Sequence, residues 1–331
     1  MSTEQGSSGP TRESKRSGPL VALTRWMENL GETGFAYLLL TPVFVLLGAI
    51  ALYPLLRTFE MSLFTDLIGA GSGEFVGLDH YVSLFTGDAD RWLPGSSTFL
   101  PTALTGSAIF RSALMVTLIF TFVSVFFETI IGFGQALVLD QDFRGRSWVR
   151  VAIIIPWAIP IVIQGMIFYL MFHPSTGFAA DLVAALGIVA QENTLNDPSS
   201  GLIIVTVADI WKTSAFMALL ILAGLQSIDR SLYDVAKVAG ATRWQQFKLI
   251  TFPLIVPTLG IAILFRTIDA MRVYGLIDST AGCTAVPSLT CMVVATFTNQ
   301  RGLASAIAFV TAGIIGAVVL IVVYQQYKEG L

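Results

Sequence analysis

The sequence predicts an all-α integral membrane protein with six transmembrane helices. Apolar residues make up 54% of the 331 residues and charged residues only 12%, and the mean hydropathy is +0.75. A soluble domain typically carries about 25% charged residues. The apolar residues gather into six runs, each near the roughly 20 residues that cross a bilayer. The runs lack the alternation of barrel strands, and a helix satisfies its own backbone hydrogen bonds in lipid.

The six predicted spans are followed in order along the chain. They are Gly34–Leu56, Arg111–Leu139, Trp148–Leu170, Leu202–Gln226, Leu254–Val273 and Leu303–Tyr324. Six such runs argue against the alternative that a short one is the core helix of a soluble domain. Residues 1–33 are rich in Ser, Gly, Arg and Glu and lack the apolar core of a signal peptide, so we expect a disordered tail. Residues 34–325 then form one transmembrane domain.

The distribution of Lys and Arg predicts the orientation. Twelve lie in the two tails and in the connections 140–150 and 226–252, whereas Arg57, Arg91 and Arg301 are the three in the other connections. Positively charged connections stay in the cytoplasm. Both termini are therefore expected to be cytoplasmic, in a protein of the cell membrane that contacts the lipid bilayer on all sides.

The polar connection at 227–252 predicts two short helices with a sharp turn between them. Ser231 and Asp234 have the spacing of a capping box, and Asp234 is placed in the first turn, where a carboxylate meets the positive end of the helix dipole. Gly240 suits the left-handed conformation that ends a helix. Thr242 and Gln245 repeat the capping-box spacing for the second helix. Pro253 and Pro257 mark the entry to the fifth span, which they would bend or pre-set.

This connection resembles the cytoplasmic EAA loop of permease subunits in ATP-binding-cassette importers. The residues that carry the resemblance are Asp234, Ala236, Gly240, Ala241, Phe247, Ile250, Pro253 and Pro257. Two positions depart from the family pattern, since Asp234 replaces its Glu and Val235 its first Ala. The resemblance implies that the loop forms a coupling helix that docks in a cleft of an ATP-hydrolysing subunit.

Further segments are similar to sugar-importer permeases of the maltose and trehalose type, and the resemblance runs from about Phe35 to Tyr324. The segments are Phe75–Tyr81, Pro156–Pro160, Phe172–Gly187, Trp211–Thr213 and Phe265–Asp269. The resemblance implies the six-helix fold of type I importer permeases, also called MetI-like. It also implies the partners: a second permease subunit, ATP-hydrolysing nucleotide-binding subunits, an extracytoplasmic solute-binding protein and a sugar substrate.

Four charged residues fall inside predicted spans: Asp209 and Lys212 in the fourth, Arg266 and Asp269 in the fifth. Ionised groups in a bilayer normally face one another or a polar cavity. Asp209 and Arg266 come out at a similar depth, roughly 10 Å below the outer face, so they are able to pair. One interpretation is that the four charges line a sugar pathway, and the other is an ion-pair network that fixes helix packing. The candidate neighbours along a pathway are Thr213, Trp157, Tyr169, Trp211 and Tyr274.

The sequence offers no signal for catalysis, a metal, a cofactor or nucleic acid. None of the five lysines follows a glycine, so a phosphate-binding Walker A loop is absent. His80 and His173 are far apart and lack the i, i+4 partner of a helical metal site. The net charge of −3 does not favour nucleic acid. Cys283 and Cys291 share a predicted extracytoplasmic loop, where either a disulfide or two free thiols is compatible with the sequence.

Two other function classes were weighed. A self-contained secondary transporter or channel needs no coupling segment, and the chain lacks the inverted repeats that many secondary transporters carry. A membrane-bound enzyme needs a clustered nucleophile, metal or acid–base set, which the sequence does not offer. The sequence therefore predicts a transport subunit without its own ATP-binding site.

Overall fold

The computed structural model describes residues 31–65, 73–187 and 193–328. The described residues form helices and turns, with two isolated β-bridges and no strand: Phe64 pairs with Phe75, and Thr98 with Ser112. The predicted all-α class is therefore confirmed. Most of the predicted N-terminal tail lies outside the described residues, and the first helix begins at Glu32, before the predicted Gly34.

Five helices of the described residues are long and apolar enough to span a membrane, and a bent pair makes a sixth span. The spans are Glu32–Ser62, Ala113–Asp140, the pair Arg146–Ala158 and Ile161–Met171, Pro198–Gln226, Arg243–Ala270 and Arg301–Lys328. The shorter helices lie in the connections. They are Asp79–Thr86, Asp88–Trp92, Gly106–Arg111, Phe178–Ala185, Arg230–Val238, Gly275–Thr280 and Leu289–Phe297.

The chain divides into two compact units, one up to Thr58 and one from Phe59 onward. In the first unit, the spanning helix exposes large apolar side chains along its length, among them Leu46, Ile50 and Leu56. Exposed apolar side chains along a whole helix suit a lipid or protein environment rather than water.

The third span differs from the prediction, which made it one continuous helix from Trp148 to Leu170. The helix ends at Ala158 and restarts at Ile161, with a bend of 91° between the two parts. Ile159 has extended φ and ψ angles, and Pro160 follows it. A proline disfavours helical angles in the residue before it, which accounts for the break.

The fifth span also differs from the prediction, because it begins at Arg243 rather than near Leu254. The predicted second short helix, Arg243–Gln246, runs into the span through one π-helical turn, Phe247–Thr251. Pro253 would clash with the carbonyl of Leu249 in a regular α-helix, and the wider π turn lies at that carbonyl. The turn Gly48–Leu52 stands in the same relation to Pro54 in the first span.

The fourth span is the central helix of the second unit, with 56% of its most apolar stretch buried. It packs against the second span, where Gly132 permits a close approach. A Cβ at Gly132 would lie 2.6 Å from the Cβ of Met217 and 3.0 Å from the carbonyl oxygen of Ser214. A larger residue at Gly132 would therefore push the second and fourth spans apart.

Two apolar clusters fill the opposite ends of the bundle. One joins the second, fourth and fifth spans next to the connection 227–242, and contains Ala136, Leu139, Ile221, Leu225 and Ile255. The other lies at the far end and contains Val116, Phe120, Leu202, Leu276 and Cys291. At that far end a disulfide joins Cys283 to Cys291, with a Cα–Cα distance of 5.5 Å. The structure thus decides the question that the sequence left open for these cysteines.

Candidate functional site

The helix Arg230–Val238 begins one turn earlier than the sequence indicated. Its N-cap is Asp229, whose Oδ1 accepts a hydrogen bond of 2.9 Å from the backbone amide of Ser231. That hydrogen bond lowers the pKa of the Asp229 carboxyl below its ordinary value. The predicted capping box of Ser231 and Asp234 was wrong, because Asp229 is the better placed acceptor.

Asp234 consequently lies in the second turn of this helix, away from the first-turn position that the sequence predicted. Its Oδ1 accepts a hydrogen bond of 3.0 Å from Nζ of Lys237, and both side chains are exposed. An exposed pair of this kind contributes little to stability. Both groups remain accessible at the surface of the connection.

The turn after this helix agrees with the prediction. Gly240 has a φ of +80°, the left-handed region that glycine enters without steric cost. The amide of Ala241 donates to the carbonyl oxygen of Ala236, and the amide of Gly240 to that of Lys237. These two hydrogen bonds form a Schellman motif, which satisfies the last carbonyls of the helix.

The second helix begins with the predicted capping box. The Thr242 hydroxyl accepts from the Gln245 amide at 3.3 Å, and the Gln245 side chain accepts from the Thr242 amide at 2.7 Å. Ala236, Ala241, Phe247, Pro253 and Pro257 follow in the two helices and the start of the fifth span. The connection is therefore a rigid helix–turn–helix with defined ends.

Two polar contacts attach the helix Arg230–Val238 to the bundle. Arg230 donates two hydrogen bonds to Asp140 at the end of the second span, of 2.7 and 3.1 Å. These hydrogen bonds raise the pKa of Arg230 above its ordinary value. The hydroxyl groups of Tyr233 and Thr251 lie 2.9 Å apart, which connects the same helix to the fifth span.

Inside the bundle, the guanidinium group of Arg266 forms the centre of a charge cluster. Arg266 donates to Glu128 at 2.5 and 3.0 Å, to Asp209, and to Asp269 at 3.2 Å. The predicted pairing of Asp209 with Arg266 is confirmed. The side chains of Arg266, Glu128 and Asp209 are 3%, 0% and 9% exposed, whereas that of Asp269 is 69% exposed.

Sequence reasoning missed Glu128, which the cluster brings into contact with three spans. Its Oε1 also accepts a hydrogen bond of 2.5 Å from the hydroxyl of Thr213. The signal was present, since Glu128 is an acidic residue in the middle of the apolar second span and such residues are functional candidates by default. The cluster therefore links the second, fourth and fifth spans through buried polar groups.

Lys212 lies next to this cluster but has a different partner. Its Nζ donates a hydrogen bond of 2.6 Å to the carbonyl oxygen of Ile159, at the break of the third span. A carbonyl at the end of a helix lacks an intrahelical partner, and a lysine supplies one. Lys212 thus stabilises the bend between Ala158 and Ile161.

The predicted aromatic neighbours do not join the charge cluster. The rings of Trp157 and Phe216 are 6.3 Å apart, and those of Tyr169 and His173 are 5.1 Å apart. Tyr274 donates a hydrogen bond of 3.5 Å to Asp278. Tyr169, His173 and Asp278 line one cavity of about 520 Å³. The aromatic candidates therefore belong to a separate region.

No group of three or more His, Cys, Asp or Glu within residues 31–65, 73–187 and 193–328 is arranged to hold a metal ion. The candidate site therefore consists of two parts: the capped helix pair at one end, and the charge cluster with its exposed carboxylate inside the bundle. Such an arrangement suits mechanical connection and solute contact.

Comparison with known proteins identifies relatives of the chain. A family model described as "binding-protein-dependent transport system inner membrane component" matches residues 128–328. The trehalose/maltose transport system permease protein MalF of Thermococcus litoralis is 37% identical over 246 residues, covering 74% of this chain and 76% of that protein. The sulfoquinovosyl glycerol transport system permease protein SmoG of Agrobacterium fabrum is 34% identical, covering 76% and 75%.

The trehalose transport system permease protein SugA of Mycobacterium tuberculosis is 32% identical, covering 76% of this chain and 74% of its own length. Among solved structures, a chain of a bacterial ABC transporter that imports the polysaccharide alginate has the same fold. Its TM-score is 0.66 at 22% sequence identity, with 89% of this chain and 95% of that chain covered.

Proposed function

The chain belongs to the family of binding-protein-dependent transport system inner membrane components, and we propose that it is one of two permease subunits of an ATP-binding-cassette importer for a carbohydrate. Family membership makes it a multi-pass membrane subunit of a transport system. ATP hydrolysis is then the task of separate subunits, and a second permease completes the pathway.

The observation that carries this proposal is the capped helix pair on the connection 227–252. Arg230–Val238, which we call the coupling helix, is capped at both ends and polar at the surface, and Gly240 turns the chain sharply after it. A rigid helix at the membrane surface is suited to transmit a displacement, which a flexible loop would absorb. We assign it to dock on the ATP-hydrolysing subunit, with Asp234 among the exposed contacts.

The substrate class follows from the relatives. MalF, SmoG and SugA are named for trehalose or maltose, sulfoquinovosyl glycerol, and trehalose, which share a hydroxyl-rich sugar. A site for such a solute needs exposed hydrogen-bonding groups and aromatic faces, typically in a concave and largely preformed cavity.

The intramembrane residues divide accordingly into two roles. Arg266, Glu128 and Asp209 are buried among the helices, so we assign them and Thr213 to helix packing. Exposed or half-buried groups are assigned to the sugar pathway: Asp269, Lys212, Trp157, Tyr169 and Tyr274. Both interpretations that the sequence allowed for the charges thus apply, each to a different subset.

Orientation and partners complete the proposal. The helix pair and both termini face the cytoplasm, because most Lys and Arg of the connections and tails lie on that side. The cavity with Tyr169 and Asp278 then opens on the outer side, where a solute-binding protein delivers the sugar. Extracellular conditions are also those in which a disulfide such as Cys283–Cys291 persists.

The test is reconstitution of the chain with its second permease, ATPase and binding protein in lipid nanodiscs. Maltose, trehalose and related sugars added with the binding protein are expected to stimulate ATP hydrolysis. An amino acid serves as the control solute. Copurification without any ATPase, together with sugar uptake driven by an ion gradient alone, would instead support a self-contained secondary transporter.

A further inference from the structure

We propose that the ion pair of Asp140 and Arg230 is a positioning contact that ties the coupling helix to the second span. This inference rests on the proposed coupling role of Arg230–Val238. It assigns to the pair the task of passing the movement of the coupling helix to a span that is not its neighbour along the chain.

The geometry of the pair favours a positional role. Arg230 is the first residue of the coupling helix, and Asp140 is the last residue of the second span. Two parallel hydrogen bonds, Nη2 to Oδ1 at 2.7 Å and Nη1 to Oδ2 at 3.1 Å, join them. A bidentate contact fixes the relative orientation of the two groups as well as their distance.

The coupling helix has covalent connections to the fourth and fifth spans only. Ser227–Asp229 joins it to the fourth span, and the turn at Gly240 joins it to the helix that continues into the fifth. Between the coupling helix and the second span lies a cavity of about 500 Å³, lined among others by Leu137, Gln141 and Tyr233. Close apolar packing is therefore reduced there, and the ion pair bridges the two helices beside the cavity.

The second span carries this connection into the bundle. From Asp140 to Glu128 the chain is one unbroken helix, a distance of about 18 Å at 1.5 Å per residue. Glu128 in turn binds Arg266 of the fifth span, which also binds Asp209 of the fourth. The three spans and the coupling helix thus form a closed frame, with one polar junction at the membrane surface and one inside.

The chain permits a clean test by charge exchange. In Asp140→Arg the new cation lies at a helix C-terminus, and in Arg230→Asp the new carboxylate lies at a helix N-terminus. Both placements are favoured by the helix dipole. The double exchange therefore restores the attraction without harming either helix, whereas each single exchange leaves two like charges facing one another.

A matched control pair lies in the same region. Asp142 accepts a hydrogen bond of 2.9 Å from Arg146, across the connection between the second and third spans, without contact to the coupling helix. The same exchanges are made there: Asp142→Arg, Arg146→Asp and both together. Non-specific effects of charge reversal at this surface would appear equally in the control set.

The measurement is the ratio of sugar-stimulated to basal ATP hydrolysis in the reconstituted importer, together with its yield on copurification. Each single exchange at Asp140 or Arg230 is expected to lower the ratio about fivefold or more, which is a typical lower limit for coupling between sites. The double exchange is expected to recover it to within about twofold, and the control variants to stay within the same range. Arg230→Lys keeps the charge but loses the bidentate fork, and is expected to lower the ratio about twofold.

Single exchanges with the ratio of the unsubstituted importer, or a double exchange as poor as the singles, would overturn the inference. If the single exchanges fail to assemble, Arg230→Lys decides, since an unchanged ratio there contradicts a positioning role. An unsubstituted importer without any sugar stimulation is a different result. It refutes the proposed function and leaves the frame itself without a task.

Discussion

At the scale of single residues, the burial of Arg266 decides what the intramembrane charges do. A guanidinium group with 3% exposure that binds Glu128, Asp209 and Asp269 is fully engaged with the protein. Burial of ions without partners is costly, and removal of one partner from a buried pair typically destabilises by about 3–5 kcal/mol. The cluster is therefore expected to hold three spans in register.

The first prediction concerns this cluster. Arg266→Met leaves two buried carboxylates without their cation and is expected to lower the free energy of unfolding by about 3–5 kcal/mol. The triple variant Arg266→Met, Glu128→Gln, Asp209→Asn removes all three charges and is expected to recover most of this loss. Apparent thermal midpoints in nanodiscs measure both effects. A triple variant that is less stable than Arg266→Met would mean that the three groups do not interact.

The second prediction separates the exposed carboxylate from the buried ones. Asp269→Asn is expected to leave the thermal midpoint nearly unchanged, because an exposed ion pair contributes about 0–1 kcal/mol. It is expected to raise the KM of sugar uptake, since we assign Asp269 to the pathway. Glu128→Gln serves as the comparison and is expected to lower the midpoint first. The assignment fails if Asp269→Asn destabilises the protein as much as Glu128→Gln does.

At the scale of helices, two departures from regular geometry shape the site. The third span breaks at Ile159, and Lys212 of the fourth span supplies the hydrogen bond that the helix end lacks. The coupling helix ends in a Schellman motif at Gly240, and the next helix starts from a capping box. In both places the chain changes direction where backbone groups have specific partners, so each bend is a defined feature of the fold.

The third prediction tests the turn at Gly240. Gly240→Val forces a β-branched residue into the left-handed region, although a Cβ there would meet no atom within 4 Å. The backbone is expected to shift, and sugar-stimulated hydrolysis to be lost while the spans still insert. Gly145→Val is the matched control, because Gly145 has a φ of +93° and equally open surroundings outside the coupling segment. Equal loss in both variants would point to general strain rather than to coupling.

At the scale of the whole molecule, the polar groups are distributed along the axis of the bundle. The coupling helix lies at one end, the charge cluster inside, and the cavity with Tyr169 and Asp278 beside the helices that precede and follow the far connections. The disulfide lies at that far end, in the connection before the sixth span. This order, from cytoplasmic contact to solute entry, is what an importer subunit requires.

The fourth prediction tests the orientation in whole cells. Leu186→Cys lies in the connection between the third and fourth spans, is exposed, and is expected to react with an impermeant maleimide. Asp142→Cys, in the connection before the third span, is expected to react only after permeabilisation. The native cysteines provide the background control, because a bridged pair does not react before reduction. Reversed labelling of the two variants would refute the proposed orientation.

Much of the fold could be predicted from the sequence because the signals are local. The apolar runs predicted spans in six regions, and the spacing of Gly240, Thr242 and Gln245 predicted the turn and the second cap. The errors were local competitions, such as Asp229 replacing Ser231 as the cap, and Pro160 breaking a span that its apolar composition made look continuous.

The sequence by itself determined the helical class, the membrane environment and the existence of a capped helix pair, because hydrophobicity, caps and turns act over a few residues. Only the tertiary structure decided the partners of the charges. Arg266 meets Glu128 across 138 residues and Asp209 across 57, and Arg230 meets Asp140 across 90. Pairing over such distances depends on which helix faces pack together, and hydrophobic spacing along one helix does not specify the neighbour that its polar groups will meet.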